Sequence, residues 1–302
     1  MTVGEYTETF FGLPIVEYRH GEKPSRNDCV YRLMQDFEAD ESQRELLDGF
    51  LAQVSSATLR ALVLGPWSEA ATGTPPNAYL EGLIAHRLPA LKAVFVGDMT
   101  FEDAEISWIN QTDYTKFLAA YPNLEVLRIR GGTALTLPRM QLPQLRELAI
   151  ETGGLPSSVV AAIAASNLPA LKKLELWLGD DNYGFDGDLA TYQDLLAKIQ
   201  PQRLEYLGLR NSKIADQLAG HLAQQSWLGS LHTLDLSMGT LGDDGAKALL
   251  ASPHIKGLKV LDVRHHYVSD ALVAKLKALP LRLEIDAAEK EDYGERYIQV
   301  AE

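Results

Sequence analysis

Eight times between residues 59 and 263 an apolar residue is followed by two more, three and five places further on. The sets are Leu59-Leu62-Leu64, Leu91-Val94-Val96, Leu124-Leu127-Ile129, Leu145-Leu148-Ile150, Leu171-Leu174-Leu176, Leu204-Leu207-Leu209, Leu231-Leu234-Leu236 and Leu258-Leu261-Val263. Their first residues stand 32, 33, 21, 26, 33, 27 and 27 apart. A pattern of this period constrains the chain strongly, because one unit is too small to bury its own apolar face and must stack on the next. Within each unit the last two apolar residues fall on one side of a short strand, and the residues between them point the other way. Successive strands therefore line up side by side, each burying one face and displaying the other.

Five units add an apolar residue ten places after the first, at Phe101, Leu155, Ile214, Leu241 and Val268, where it is expected to pin the chain as it leaves the strand. Helical patterns follow at 157–166, 216–225, 243–252 and 269–279, with Ser157, Asp243 and Ser269 as expected N-caps. A stack of such units exposes core at both ends and needs covers. Residues 28–37 and the helical stretch 42–55 read as an N-terminal cap with Tyr31 and Leu33 inward, and 12–18 adds an edge strand. Residues 281–286 look like a final half-strand. The acidic tail beyond them carries Tyr293, Tyr297, Ile298 and Val300 and is expected to cap Leu283 and Ile285. The expected organisation is one domain: a cap at 1–55, about eight repeats over 56–286, and a tail or cap at 287–302.

At 302 residues and 46% hydrophobic composition the chain can build one large core or two modest ones. Its formal charge of −13 leaves no general basic field, which argues against nucleic acid or an anionic membrane as partner. A protein with a basic or mixed surface suits that charge better. Cys29 is the only cysteine, so no intrachain disulfide can form, and it is expected as a buried thiol in the cap strand. The opening MTVGEYTETF has neither the cationic nor the apolar stretch of a secretory signal. No segment approaches the ~18 apolar residues of a spanning helix. A cytoplasmic protein is the expectation.

With these units laid out, the chain resembles the leucine-rich-repeat superfamily, in particular its ribonuclease-inhibitor-like class with long helical repeats, over residues 56 to 285. The resemblance implies an α/β solenoid, a horseshoe with a parallel sheet on its concave face and helices on its convex face. One departure concerns the ninth position, often asparagine or cysteine in the superfamily and here Trp67, Met99, Gly132, Gly153, Gly179, Ser212, Gly239 and His266. No asparagine ladder can form, so the turn hydrogen bonds must come from elsewhere. Residues 176–187, 265–270 and 295–302 also resemble a narrower, largely uncharacterised family of bacterial cytoplasmic leucine-rich-repeat proteins, which implies a bacterial source and no established activity.

No catalytic pattern stands out: there is no GxSxG, HExxH, CxxC, Walker loop or GxGxxG after a strand. No cofactor is expected. His265 and His266 are adjacent on a strand, point to opposite sides, and read as turn residues rather than metal ligands. The loop at 179–188 holds Asp180, Asp181, Asp186 and Asp188. Read as a calcium loop from Asn182 it has Gln193 at the twelfth place, where a bidentate glutamate belongs. It reads instead as a rim beside the displayed strand face.

The third, fifth and seventh positions of each unit map that face. The first part is small or apolar, with Ala61, Val63, Ala93 and Phe95; the rest is charged and aromatic. Expected partner-binding residues are Phe95, Arg128, Arg130, Glu175, Trp177, Tyr206, Arg210, Asp235, Asp262 and Arg264, with Trp177, Tyr206 and Arg210 as the hot spot. Trp177 has an alternative role, packing under its own loop against Tyr183 or Phe185. The expected function is a non-enzymatic protein-binding module using the concave face and the 179–188 rim. Two other readings stand beside it: a structural subunit that self-associates through the apolar third, and a metal-dependent enzyme using Asp235, Asp262 and His265.

Overall fold

The computed structural model describes residues 3–37 and 39–302. Met1, Thr2 and Glu38, all within the cap expected at 1–55, lie outside the described residues. The described chain forms two compact units, one of residues 3–150 with 167–170 and 302, and one of 151–166 with 171–301.

In the N-terminal unit the strands are β1 (Thr9–Phe10), β2 (Leu13–Tyr18), β3 (Val30–Leu33), β4 (Ala61–Leu64), β5 (Ala93–Val96) and β6 (Val126–Arg130). Helices α1 (Gln43–Leu51), α2 (Asn77–His86) and α3 (Thr115–Ala120) connect them. From β2 to β6 the strands pair in parallel and in chain order, while β1 folds back antiparallel on β2. Strand β7 (Glu147–Glu151) ends where the units divide. The C-terminal unit runs α4 (Ser157–Ala164), β8 (Lys173–Gly179), α5 (Leu189–Lys198), β9 (Tyr206–Ser212), α6 (Ala215–Leu222), β10 (Thr233–Asp235), α7 (Asp243–Ala251), β11 (Val260–Asp262), α8 (Asp270–Lys277) and β12 (Arg282–Glu284). Its strands are again parallel and sequential, with Leu174, Leu207, Leu234, Leu261 and Leu283 in one register row. Both units have the leucine-rich-repeat α/β fold.

The repeat frame does what its spacing requires. Apart from half-buried Leu59, every frame residue is at most 3% exposed. Truncating one to alanine leaves a cavity and costs about 2–5 kcal/mol. Leu155, Leu241 and Val268 are fully buried, and Ile214 partly so. Phe101 breaks the pattern: its ring is exposed, and its amide donates to Val3 O at 2.9 Å. Cys29 also departs from expectation, lying half-buried just before β3.

Helix α1 begins with a complete capping box between Ser42 and Glu45. The expected caps Ser157 and Asp243 stand instead at the first helical position, and Ser269 is an N-cap whose side chain accepts nothing. Carboxylates of adjacent repeats bond these helix starts. Ser157 N donates to Asp186 at 2.6 Å, Gly242 N and Gly245 N to Asp216 at 2.8 and 2.9 Å, and Ser269 N to Asp243 at 2.8 Å. These inter-repeat carboxylates take up orphan helix-start donors and join the fourth repeat to the fifth, the sixth to the seventh and the seventh to the eighth. The Ser269 amide, with help from its hydroxyl, holds the Asp243 carboxyl below its ordinary range.

The tail folds, but not over Leu283 and Ile285, which stay half-buried. It runs back across the turns that follow β11 and β10 and across the end of β9. Tyr297 O accepts from Tyr267 Oη at 2.9 Å and stands 2.9 Å from His265 Nε2. Gln299 N donates to Met238 O at 2.8 Å, and Val300 N to Asn211 Oδ1 at 3.0 Å, while Asn211 Nδ2 donates back to Val300 O. Asn211, Met238 and His265 hold the same place in successive repeats and all have left-handed backbones, with φ of 53, 67 and 57°. Those turns present hydrogen-bonding groups to the tail, and Ile298 and Val300 are buried against the unit.

Candidate functional site

The outward faces of the two ladders differ in kind. In the N-terminal unit that face is shut. Phe10 of β1 packs with Val30, Ala61, Val63, Ala93, Phe95 and Val126 in one buried cluster, joined by half-buried Phe11 and Ile15. The Phe10 and Phe95 ring centroids are 6.1 Å apart, and the Arg128 and Arg130 guanidinium carbons lie 4.5 and 5.3 Å from the Phe95 ring centre. The expectation that Ala61, Val63, Ala93 and Phe95 form displayed surface is therefore corrected. The chain's own first strand removes that apolar face from water, so the route to self-association through it is closed in this fold.

Buried charge fixes the segment that leads into β1. Asp98 is fully buried and receives Arg32 Nη2 at 2.6 Å and Arg130 Nη1 at 3.4 Å. The same carboxylate accepts Thr7 N and Thr7 Oγ1 at 3.3 and 3.1 Å, and Arg32 donates to Thr7 O. Tyr6 Oη donates to Asp103 at 2.7 Å, and burial followed by that carboxylate raises the phenol's pKa. Arg130, expected as a partner contact, is 2% exposed. It also donates to Met99 O at 2.6 Å, so it belongs to the interior. Sequence reasoning missed Arg32 and Asp98, although an aspartate straight after Gly97 at the end of β5 was a signal that a carboxylate meets the turn.

In the C-terminal unit no strand among the described residues overlies the outward face, and its charges pair both along and across the strands. One register row runs Lys173, Tyr206, Thr233, Val260 and Arg282; the next runs Glu175, Gly208, Asp235, Asp262 and Glu284; Trp177 sits beside Arg210 in a third. Arg210 Nη1 reaches Glu175 at 2.7 Å, and its Nε reaches Asp235 at 3.3 Å and Ser237 Oγ at 3.0 Å. Tyr206 Oη donates to Asp235 at 2.8 Å, and Lys173 Nζ lies 4.9 Å from the Tyr206 ring centre and 3.2 Å from Glu175. Gly208 makes room for this, since a Cβ there would come 2.9 Å from the Tyr206 hydroxyl. Asp262 pairs with Arg264, whose side chain is 54% exposed.

Electrostatics follow from packing. Burial raises the Asp235 pKa, with Arg210 opposing the shift. Burial also raises the Tyr206 phenol, assisted by Glu175 and Asp235. For Arg210 burial works against the charge, but Asp235 and Glu175 outweigh it and leave the pKa above its ordinary value. The result is an ordered lattice of alternating charge. Removing one member takes a counter-charge from side chains that are already largely desolvated.

Trp177 and Glu175, expected as exposed contacts, are 7% and 6% exposed. Trp177 Nε1 donates to Glu175 at 2.9 Å, and the Arg210 guanidinium lies 5.1 Å from the indole. Trp177 thus supports Arg210 and is little available to a partner. Asp235 and Asp262 are each 5% exposed and already paired. His265, the third member of the enzymatic reading, is 9% exposed and engaged with the tail. His266 is fully buried, its Nδ1 accepting Val268 N at 3.0 Å. Among the described residues no three His, Cys, Asp or Glu side chains gather as metal ligands, and no helix is long and apolar enough to cross a membrane.

The aspartates of the 179–188 loop are used within the fold. Asp180 is 7% exposed, accepts Asn182 N and pairs with Lys213 at 2.6 Å; Asp181 also meets Lys213, at 2.7 Å. Asp186 takes the Ser157 amide, and Asp188 caps α5 through Thr191. The backbone is clamped to the preceding turn, with Asp180 N donating to Gly153 O and Leu155 N to Leu178 O, both at 2.7 Å. Gly179 has φ +81°, and a Cβ on it would come 1.9 Å from Gly153 O. The glycines allow that close approach, and Phe185 is buried beneath. Trp108, between β5 and α3, is 52% exposed.

No protein-family profile matches the chain, and no curated protein does. Among solved structures it is similar to a protein of Bacteroides fragilis determined as a structural-genomics target, at 30% identity and TM-score 0.78, over 89% of this chain and 76% of that one. An internalin of Listeria monocytogenes matches at 15% identity and TM-score 0.41, over 87% of this chain and 69% of the internalin.

Proposed function

From the premise that the chain belongs to the family of the Bacteroides fragilis protein, we propose that it is a non-enzymatic, cytoplasmic protein-binding module. In this reading its partner lies across the outward strand face of the C-terminal unit, beside the 179–188 rim. The observation that carries this reading is the fixed Tyr206–Arg210 pair. Both side chains are half-buried and held by Asp235, Glu175 and Ser237, so a partner meets donors and an aromatic face whose ordering cost has been met on folding. Around them Lys173, Arg264 and Arg282 offer cations and Glu284 an anion, which suits a protein surface of mixed charge. The chemistry of the floor favours binding over turnover, because its carboxylates and its tyrosine already satisfy one another.

A photo-crosslinking side chain at Val260, half-buried in the middle of this face, tests the proposal against the same group at exposed Lys247 on α7. One protein captured from Val260 and absent from Lys247 is the expected result. Equal capture from both positions, or none from Val260, overturns it.

A further inference from the structure

We propose that two copies of this chain associate edge to edge through β12, antiparallel and in the single register that sets Leu283 opposite the copy's Leu283. Strand β12 pairs with β11 alone and ends the ladder. Leu281, Leu283 and Ile285 are only half-buried, whereas Leu258, Leu261 and Val263 one repeat earlier are 0% exposed. The tail does not cover them, because it turns away at Glu289, whose amide donates to His266 O, and continues to Asn211. An apolar strand with one free edge is a template for another strand.

The backbone shows which groups face that edge. Arg282 N donates to Lys259 O at 2.8 Å, and Val263 N to Glu284 O at 2.9 Å, so the even-numbered residues of β12 bond to β11. The amides and carbonyls of 283 and 285 therefore turn outward, as does the carbonyl of 281, whose own amide donates to Leu279 O at 2.9 Å. In an antiparallel pair such residues stand opposite one another, which leaves three central registers. Leu281 opposite the copy's Leu283 sets Arg282 against Arg282; Leu283 opposite the copy's Ile285 sets Glu284 against Glu284. Leu283 opposite Leu283 instead sets Arg282 against Glu284 on both sides of a two-fold axis, with Leu281 against Ile285.

The segment LRLEI is thus self-complementary in charge as well as apolar pattern, as an isologous contact requires. Arg282 pairs with Glu284 of its own strand, and its side chain is 76% exposed, so it can transfer to the copy without leaving a buried partner behind. The same axis runs α8 antiparallel to its counterpart. That sets Asp270 in the first turn towards the end carrying Lys275 and Lys277.

Sedimentation of the full chain over a range of concentrations tests this. A reversible monomer–dimer equilibrium is expected, weakened about tenfold or more by Glu284→Arg or by Arg282→Glu, since each opposes like charges at two places. A one-to-one mixture of the two variants should regain association as a heterodimer, with far-ultraviolet dichroism unchanged throughout. A chain that stays monomeric at every concentration overturns the proposal. So does a dimer indifferent to the single reversals, or a mixture that fails to recover.

Discussion

The N-terminal strand face is apolar and closed, and the C-terminal face is charged and lacks an overlying strand, although the same repeat frame builds both. The difference lies in what reaches the face from outside the frame. In the first unit Phe10 arrives on a two-residue strand and turns Val63 and Phe95 into core. In the second, Arg210 finds counter-charges on both neighbouring strands, and Lys173 and Arg264 find theirs two residues away in their own repeats, so the face is ordered without a cover. A repeat spacing therefore specifies which residues point outward, but not whether outward means exposed.

The largest expected effect lies beneath the closed face. Asp98→Ala removes a fully buried carboxylate that both Arg32 and Arg130 approach and should cost about 3–5 kcal/mol in denaturant unfolding. A loss near zero would mean that these charges do not hold the segment. Phe10→Ala comes next, at about 3 kcal/mol, with faster amide exchange in 61–64 and 93–96 and little change in 233–237 and 260–264. Equal loosening in both sets would erase the distinction between the faces. On the open face Tyr206→Phe removes one hydrogen bond to Asp235 and should cost about 1–2 kcal/mol.

The smallest effect concerns acid. The Thr191 amide, followed by its hydroxyl, holds the Asp188 carboxyl below its ordinary range. Its contribution to the α5 cap is present above the ordinary aspartate pKa and is lost as pH falls through the lowered one. Thr191 amide exchange, corrected for intrinsic rate, should gain opening only in that acid window. Opening already present at neutral pH would remove Asp188 as the cap.

Much of the fold was legible because leucine spacing reports a repeated burial requirement: α4, α6, α7 and α8 fall within three residues of the helical stretches read from sequence. The misreadings have physical causes. A two-residue strand has no periodicity to detect, so β1 and its cover over Phe95 were invisible. Trp177 was taken for a hot spot because its position faces outward, yet Arg210 lies in register beside it and Glu175 takes its indole N–H. The tail buries Ile298 and Val300. Its destination depended on the left-handed turns at Asn211, Met238 and His265, residues whose backbone conformation the sequence does not declare.

Hydrogen exchange on the complex with the partner captured from Val260 tests the account most directly. Slowed exchange should appear in 206–212, 233–237 and 260–264, while amides of 7–10, 61–64 and 93–96 remain as in the free protein. Slowing at 61–64 and 93–96 with exposure of 7–10, and no change in the C-terminal strands, would contradict it: the partner would then displace the first strand and bind the face described here as closed.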